Sequence, residues 1–316
     1  MFMAAHAFIF PGQGSQAVGM GRDLAAAFAA AREVFGEVDE VLKQKLSKLM
    51  FEGPIEELTL TENAQPALMA VSLAVLRVLE AEGGIALKQK TALVAGHSLG
   101  EYSALAAAGA FSVADAARLL KLRGQAMQRA VPPGIGAMAA LLGVELAMAQ
   151  EICTEAAGDE VVECANDNGG GQVVISGHKT AVERAIEIAK TKGVKRAMLL
   201  PVSAPFHCAL MAPAASAMAE AFAATPPGAP IVPLVANVSA AKATEPDEIR
   251  DMLVQQVTAT VRWRESVLEM VSLGVDSFVE LGAGKVLAGL VKRITPDAAS
   301  ISAGSPADIE ALLKVL

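Results

Sequence analysis

A serine flanked by glycines, Gly96-His97-Ser98-Leu99-Gly100, stands where an apolar run over 92–95 gives way to an alanine-rich stretch over 98–108. The run reads as a buried strand and the stretch as a helix, so Ser98 falls on the turn between them, a G-x-S-x-G nucleophile elbow. The chemistry explains the spacing. So tight a turn has no room for bulky flanking side chains, and the hydroxyl projects at a helix N-terminus, whose unpaired amides and positive end favour a developing oxyanion. The same residues also suit a serine that only caps a helix, and the rest of the chain must separate the two readings.

A nucleophilic serine needs a base. His207 follows Pro201 and Pro205, which exclude a central strand or helix interior and place it on a stiff loop just before a helix over 209–224. A histidine there can serve as general base, or it can be a packed imidazole. Cys208 beside it reads as buried filler. Arg123 lies among Leu119, Leu120, Leu122, Ala126 and Met127 on a helix opened by Ser112. It either snorkels to solvent or offers a rigid fork to a carboxylate.

The first strand, 6–10, runs into Pro11-Gly12-Gln13-Gly14-Ser15-Gln16-Ala17. Gly12, Gly14 and Ala17 fit a dinucleotide fingerprint, but that motif needs an acidic-ended second strand about 20 residues on. Residues 22–46 have helical periodicity instead. A glycine-rich loop at a strand end can lend a main-chain N–H to an oxyanion, and Gln13 takes that role. Gly282-Ala-Gly-Lys285 lacks the first glycine and the Ser/Thr of a P-loop.

The elements that must position these groups follow in order. A helical stretch over 61–82, interrupted early by Pro66, precedes the elbow. After a break at Val131-Pro-Pro-Gly134 come strand 137–142, helix 144–156, strand 161–165, the turn Asn166-Asp-Asn-Gly-Gly-Gly171, strand 172–176, helix 180–192 and strand 195–200. This βαββαβ order is ferredoxin-like. The expected fold class is α/β: a large α/β-hydrolase-like domain with a parallel-sheet core, residues 1–133 and 201–316, and an inserted ferredoxin-like subdomain, residues 134–200. Residues 253–263, ending at the lone Trp263, join two helices, and 274–281 gives a further strand before a helix ending at Ile294.

Composition narrows the function classes. The 316 residues are 53% hydrophobic and 19% charged, enough for a large core. Three scattered cysteines, Cys153, Cys164 and Cys208, suit a reducing compartment, hence a cytoplasmic protein, and the four histidines show no metal spacing. The apolar start, 1–10, lacks a basic n-region and reads as a strand, not a leader; no apolar run approaches a membrane span. A net charge of −8 argues against nucleic acid as partner.

Taken together, six segments resemble the malonyl-CoA:acyl carrier protein transacylases, the acyltransferase family of fatty acid and polyketide synthesis. They are Phe10-Pro-Gly-Gln-Gly-Ser-Gln16, Gly96-His-Ser-Leu-Gly-Glu101, Arg123-Gly-Gln-Ala-Met127, Gly171-Gln-Val-Val-Ile-Ser-Gly-His178, Pro205-Phe-His207 and Val279-Glu-Leu-Gly-Ala-Gly-Lys285. They occur in the family's order, from the first strand to the last quarter of the chain. Thr260 departs from it, standing where the family often has proline.

The resemblance implies a ping-pong transfer. Ser98 attacks the thioester of malonyl-CoA, His207 takes its proton, and the amides of Gln13 and Leu99 hold the oxyanion. The phosphopantetheine thiol of acyl carrier protein then takes the malonyl group from the serine, supplying fatty acid biosynthesis. The residues themselves offer no convincing third acid, and by resemblance a main-chain carbonyl near Gln256 orients His207, making a Ser-His dyad. Arg123 reads the malonyl carboxylate. Phe206 crowds an added methyl, since relatives accepting methylmalonyl tend to differ there and at position 99. No cofactor, metal or membrane is expected. The acidic carrier is expected on a local basic surface drawn from Lys190, Lys192, Lys195, Arg196, Lys285, Lys292 and Arg293. The rivals are an esterase, which shares elbow and base, and a binding module with a decayed site.

Overall fold

In the computed structural model, which describes residues 5–316, the strands in chain order are β1 (His6–Phe10), β2 (Leu93–Gly96), β3 (Gly136–Leu142), β4 (Val162–Asp167), β5 (Gln172–His178), β6 (Arg196–Leu199), β7 (Leu234–Val235), β8 (Lys242–Ala243), β9 (Ser277–Leu281) and β10 (Ala299–Ala303). Residues 1–4 of the apolar start lie outside the described residues. A six-stranded sheet has the order β10-β9-β1-β2-β7-β8, and a four-stranded sheet the order β4-β5-β3-β6. The larger is parallel except for β7 against β8. In the smaller every pairing is antiparallel.

The larger sheet is covered on both faces, as parallel sheets must be. Side chains alternate along β1: Phe8 and Phe10 join a core with Leu68, Val71, Leu105 and Leu120, while Ala7 and Ile9 join another with Trp263, Val267, Leu287 and Leu290. The smaller sheet has its own core, built from Leu141, Ile152, Val173, Ile175, Val182 and Ile186. Its helices are Leu146–Ala157 and Lys179–Thr191. The protein is thus mixed α/β, with a parallel-dominated sheet and a separate antiparallel one.

Three expectations need correction. Pro66 does not interrupt the helix around it, which runs unbroken over Thr61–Gly83. The proline removes one amide donor, and burial of Leu68, Val71, Val75, Val78 and their neighbours outweighs that loss. That helix is also long and apolar enough to cross a membrane by length and composition, contrary to the sequence estimate, but 83% of its most apolar window is buried inside the protein. The connector before Trp263 is shorter than expected, because the preceding helix, Pro246–Gln256, reaches Gln256 and Trp263 opens the next, Trp263–Ser272.

Candidate active site

β2 ends at Gly96, and the helix Leu99–Ala107 begins three residues later with Ser98 at its N-cap. Ser98 has φ 53° and ψ −110°, a strained conformation for any residue with a side chain. The flanking glycines are required sterically. A Cβ at Gly96 would lie 1.9 Å from the Gly100 carbonyl carbon, and one at Gly100 would lie 2.2 Å from the Phe10 oxygen. The tight turn throws Ser98 Oγ towards His207, whose Nε2 lies 2.7 Å away.

His207 also has positive φ, 59°, in the stiff loop after Pro205. Its Nδ1 lies 2.8 Å from the Gln256 main-chain oxygen. A carbonyl only accepts, so Nδ1 carries the proton and Nε2 is left to accept from the serine. Burial lowers the His207 pKa to about 3, the nearby Arg123 charge adds to the shift, and the bond to the Gln256 carbonyl opposes it. The ring is therefore neutral at pH 7, the form a general base needs.

Arg123 does not snorkel. It is 1% exposed, and its guanidinium donates from Nη1 to Gln65 Oε1 at 2.8 Å and from Nη2 to Gln256 Oε1 at 2.8 Å. Nη2 also reaches Ser98 Oγ at 3.2 Å, and the group lies 5.4 Å from the centre of the Tyr102 ring. These hydrogen-bond partners are all neutral, and burial lowers the Arg123 pKa. A buried cation held by neutral acceptors beside the Ser98 hydroxyl is suited to receive an anion.

Gln13 and Leu99 lie on the wall of the same cavity, about 540 Å³ in volume, with Ser98, Arg123, Phe206 and His207. Leu99 is the first helical residue, so its N–H has no partner in the preceding turn. Gly12 lets the Gln13 loop press against the elbow, since a Cβ there would sit 2.7 Å from the His97 oxygen. The Gln13 side chain accepts from Thr61 Oγ1 at 2.9 Å. Gln256 lies behind the wall, hydrogen-bonded to His207 and Arg123. Met138, Asn168 and Val174 of the smaller sheet's segment also line the cavity.

The sequence reading missed Gln65, Glu101, Asn168 and Asn237. Asn237 Oδ1 accepts from the Ser98 N–H at 2.8 Å, its Nδ2 donates to Gly96 O at 2.7 Å, and Asn168 Oδ1 pairs with His97 Nε2 at 2.9 Å. These are long-range contacts with no local signal. Glu101 had one, the single charged residue in a helix rich in small and apolar side chains. Burial raises its pKa to about 7 against the opposing effects of Gln256, Asn237 and Arg123. Among the described residues no group of three or more His, Cys, Asp or Glu is placed to hold a metal.

Residues 7–305 match the family model described as the acyl transferase domain. The chain belongs to that family. This acyltransferase is 48% identical over 313 residues to the malonyl CoA-acyl carrier protein transacylase of Escherichia coli strain K12, covering 99% of this chain and 100% of the relative. Its structure is similar to that of an acyl-carrier-protein-S-malonyltransferase from Bartonella henselae, with a TM-score of 0.96 and 56% identity over 98% of this chain and 99% of that one. It is also similar, with a TM-score of 0.95 and 43% identity over 98% and 99% of the chains, to a malonyl-transacylase solved in complex with a type II polyketide synthase acyl-carrier protein.

Proposed function

We propose that the protein moves a malonyl group from malonyl-CoA to the phosphopantetheine thiol of acyl carrier protein through a malonyl ester on Ser98, supplying fatty acid biosynthesis. The observation that carries this reading is Arg123, buried with neutral hydrogen-bond partners and 3.2 Å from the Ser98 hydroxyl oxygen. Malonyl differs from acetyl by a carboxylate, and a bidentate guanidinium is the best match for that group beside the reacting ester. The relatives' names, and the complex of one with a carrier protein, agree with it.

Each half-reaction uses the same groups. His207 Nε2 takes the Ser98 proton as Oγ attacks the thioester carbonyl, and the Gln13 and Leu99 amides hold the resulting oxyanion. Collapse expels the CoA thiolate, which takes the proton from His207, and leaves malonyl on Ser98. The carrier's thiol then gives its proton to His207 and attacks the ester. A second collapse returns the proton to Ser98 and leaves the malonyl thioester on the carrier. The Gln256 carbonyl keeps the ring in one tautomer through both halves. Phe206 limits the room beside the malonyl methylene. These steps need no metal or redox group.

In this reading residues 1–133 and 201–316 form an α/β-hydrolase-like catalytic domain, and residues 134–200 a ferredoxin-like subdomain that walls the cleft. The cysteines Cys153, Cys164 and Cys208 are unpaired, in keeping with a cytoplasmic location. The test is Arg123→Ala with both acyl donors. Removing one partner of a buried charge pair costs about 2 to 5 kcal/mol, so kcat/KM for malonyl-CoA is expected to fall roughly 30-fold to several thousand-fold. Acetyl-CoA has no carboxylate to strand and is expected to lose little or gain. An unchanged ratio of the two would assign the carboxylate to another group.

A further inference from the structure

Ser98-Leu99-Gly100-Glu101 spells the S-x-x-E pattern of a capping box, in which the serine hydroxyl accepts from the amide three residues on and the glutamate reaches back to the serine's own amide. The structure makes neither bond. The Ser98 side chain caps nothing, its hydroxyl being engaged by His207 and Arg123, and its N–H goes to Asn237 Oδ1. Glu101 turns inward instead, 1% exposed, and the transfer steps give it no part. Its Oε2 accepts from the Asn237 main-chain N–H at 3.1 Å and from Gln256 Nε2 at 2.7 Å.

Gln256 is where the site converges. Its main-chain carbonyl orients His207, its Oε1 accepts from Arg123, and its Nε2 donates to the Ser98 carbonyl at 3.0 Å and reaches Asn237 Oδ1 at 3.2 Å. A side-chain amide can occupy either of two flipped orientations. The flipped form would turn its oxygen on the acceptors of Ser98, Asn237 and Glu101, and its NH2 on the guanidinium. Glu101 is the ionisable member of that acceptor set, and within the set it alone also holds the Asn237 main-chain N–H.

We propose that Glu101 is a positioning residue for acyl transfer: by holding Gln256 and Asn237 in one arrangement, it sets both the Arg123 fork and the Ser98 main chain in their reactive places. The inference rests on the malonyl-transfer reading for its selectivity component only. A local capping rule has been given up where distant partners recruit both of its members, which is how a sequence consistent elsewhere marks a functional position.

The test compares Glu101→Gln and Glu101→Met in the full chain. Gln keeps an oxygen that accepts from Asn237 and Gln256. Met fills a similar volume, accepts at most weakly through its thioether and removes a buried ionisable group, so it is expected to fold. One readout is the rate at which a fluorophosphonate probe labels Ser98, which needs no acyl substrate. The other is the ratio of kcat/KM for malonyl-CoA to that for acetyl-CoA. Met is expected to lower both by about tenfold or more, the scale of an ångström-level misplacement, and Gln to restore both to within about threefold of wild type. A folded Met variant with wild-type labelling and ratio overturns the proposal, as does a folded Gln variant no better than Met. Should Met not fold, the Gln variant decides alone by the same threefold criterion. A wild-type protein that is labelled but transfers no malonyl would refute the malonyl reading, while labelling would still decide the role of Glu101.

Discussion

Ser305 and Ser98 open helices with nearly the same local pattern, Ser305-Pro-Ala-Asp308 against Ser98-Leu-Gly-Glu101, and reach opposite arrangements. At Ser305 the box closes: the hydroxyl accepts from the Asp308 amide at 3.2 Å, and Asp308 accepts from the Ser305 amide at 3.0 Å. Ser112 likewise caps its helix through the Asp115 amide at 3.0 Å. Both serines have ordinary negative φ, −129° and −70°. Ser98 has φ 53°, and its amide is satisfied by Asn237, 139 positions away. Where the hydroxyl has only a helix to stabilise, it caps; where it is turned to His207 and Arg123, as the proposed reaction needs, a distant side chain takes over the backbone.

The contrast breaks most sharply on alanine. Ser98→Ala is expected to abolish acyl-ester formation, read by intact mass, while leaving the fold intact, since no cap bond is lost and only the hydroxyl's bonds to His207 and Arg123 go. Full transfer by this variant would dissolve the distinction. His207→Ala is expected to slow both half-reactions by about 100-fold or more, measured by single turnover with each substrate. Loss of the thiol step alone would mean that another group activates Ser98.

The acid side of the rate profile sharpens the comparison further. With its pKa lowered to about 3, His207 stays neutral as pH falls through its ordinary value of 6.5, so kcat/KM for malonyl-CoA is expected to hold there. A drop centred near 6.5 would place an ordinary, solvated imidazole at Ser98. The stability signs oppose each other. The His207 contribution is full above 6.5 and lost as pH falls towards about 3. The Glu101 contribution is full below 4.5 and lost as pH rises through about 7.

Smaller effects belong to the serines that only cap. Ser305→Ala and Ser112→Ala are expected to keep full activity and lose about 1 kcal/mol each in denaturant unfolding. Smallest is carrier docking. Lys190 and Lys192 already pair with Glu187 and Glu155, so reversing Lys285 and Lys292 is the better probe. It is expected to raise KM for the carrier by about threefold, an effect that fades with salt. Transfer insensitive to both salt and charge reversal would remove that surface from the account.

What the sequence made legible was local. β1, the elbow strand and helix, and the alternation around β3 to β6 all lay within a residue or two of their places, because each has an apolar period or a glycine that the turn demands. Arg123 was ambiguous because its neighbours on the helix do not say which way the head group goes; Gln65 and Gln256, far away in the chain, decide it. Asn237 follows the two-residue β7 closely, and β7 and β8 are too short to show a period. β10 alternates weakly, with most residues only partly buried. Glu101 sat inside a quoted motif, yet its use of Asn237 and Gln256 depends on contacts that no local pattern encodes.

The central claim is that Ser98 carries the acyl group between two thiols. Incubating the wild-type protein with malonyl-CoA and recording intact and peptide masses tests it most directly, followed by addition of carrier protein bearing its phosphopantetheine thiol. The account predicts a single malonyl adduct on the peptide containing Ser98, which disappears as malonyl appears on the carrier. Malonyl reaching the carrier with no adduct on Ser98, or an adduct released only as free malonate, would contradict it.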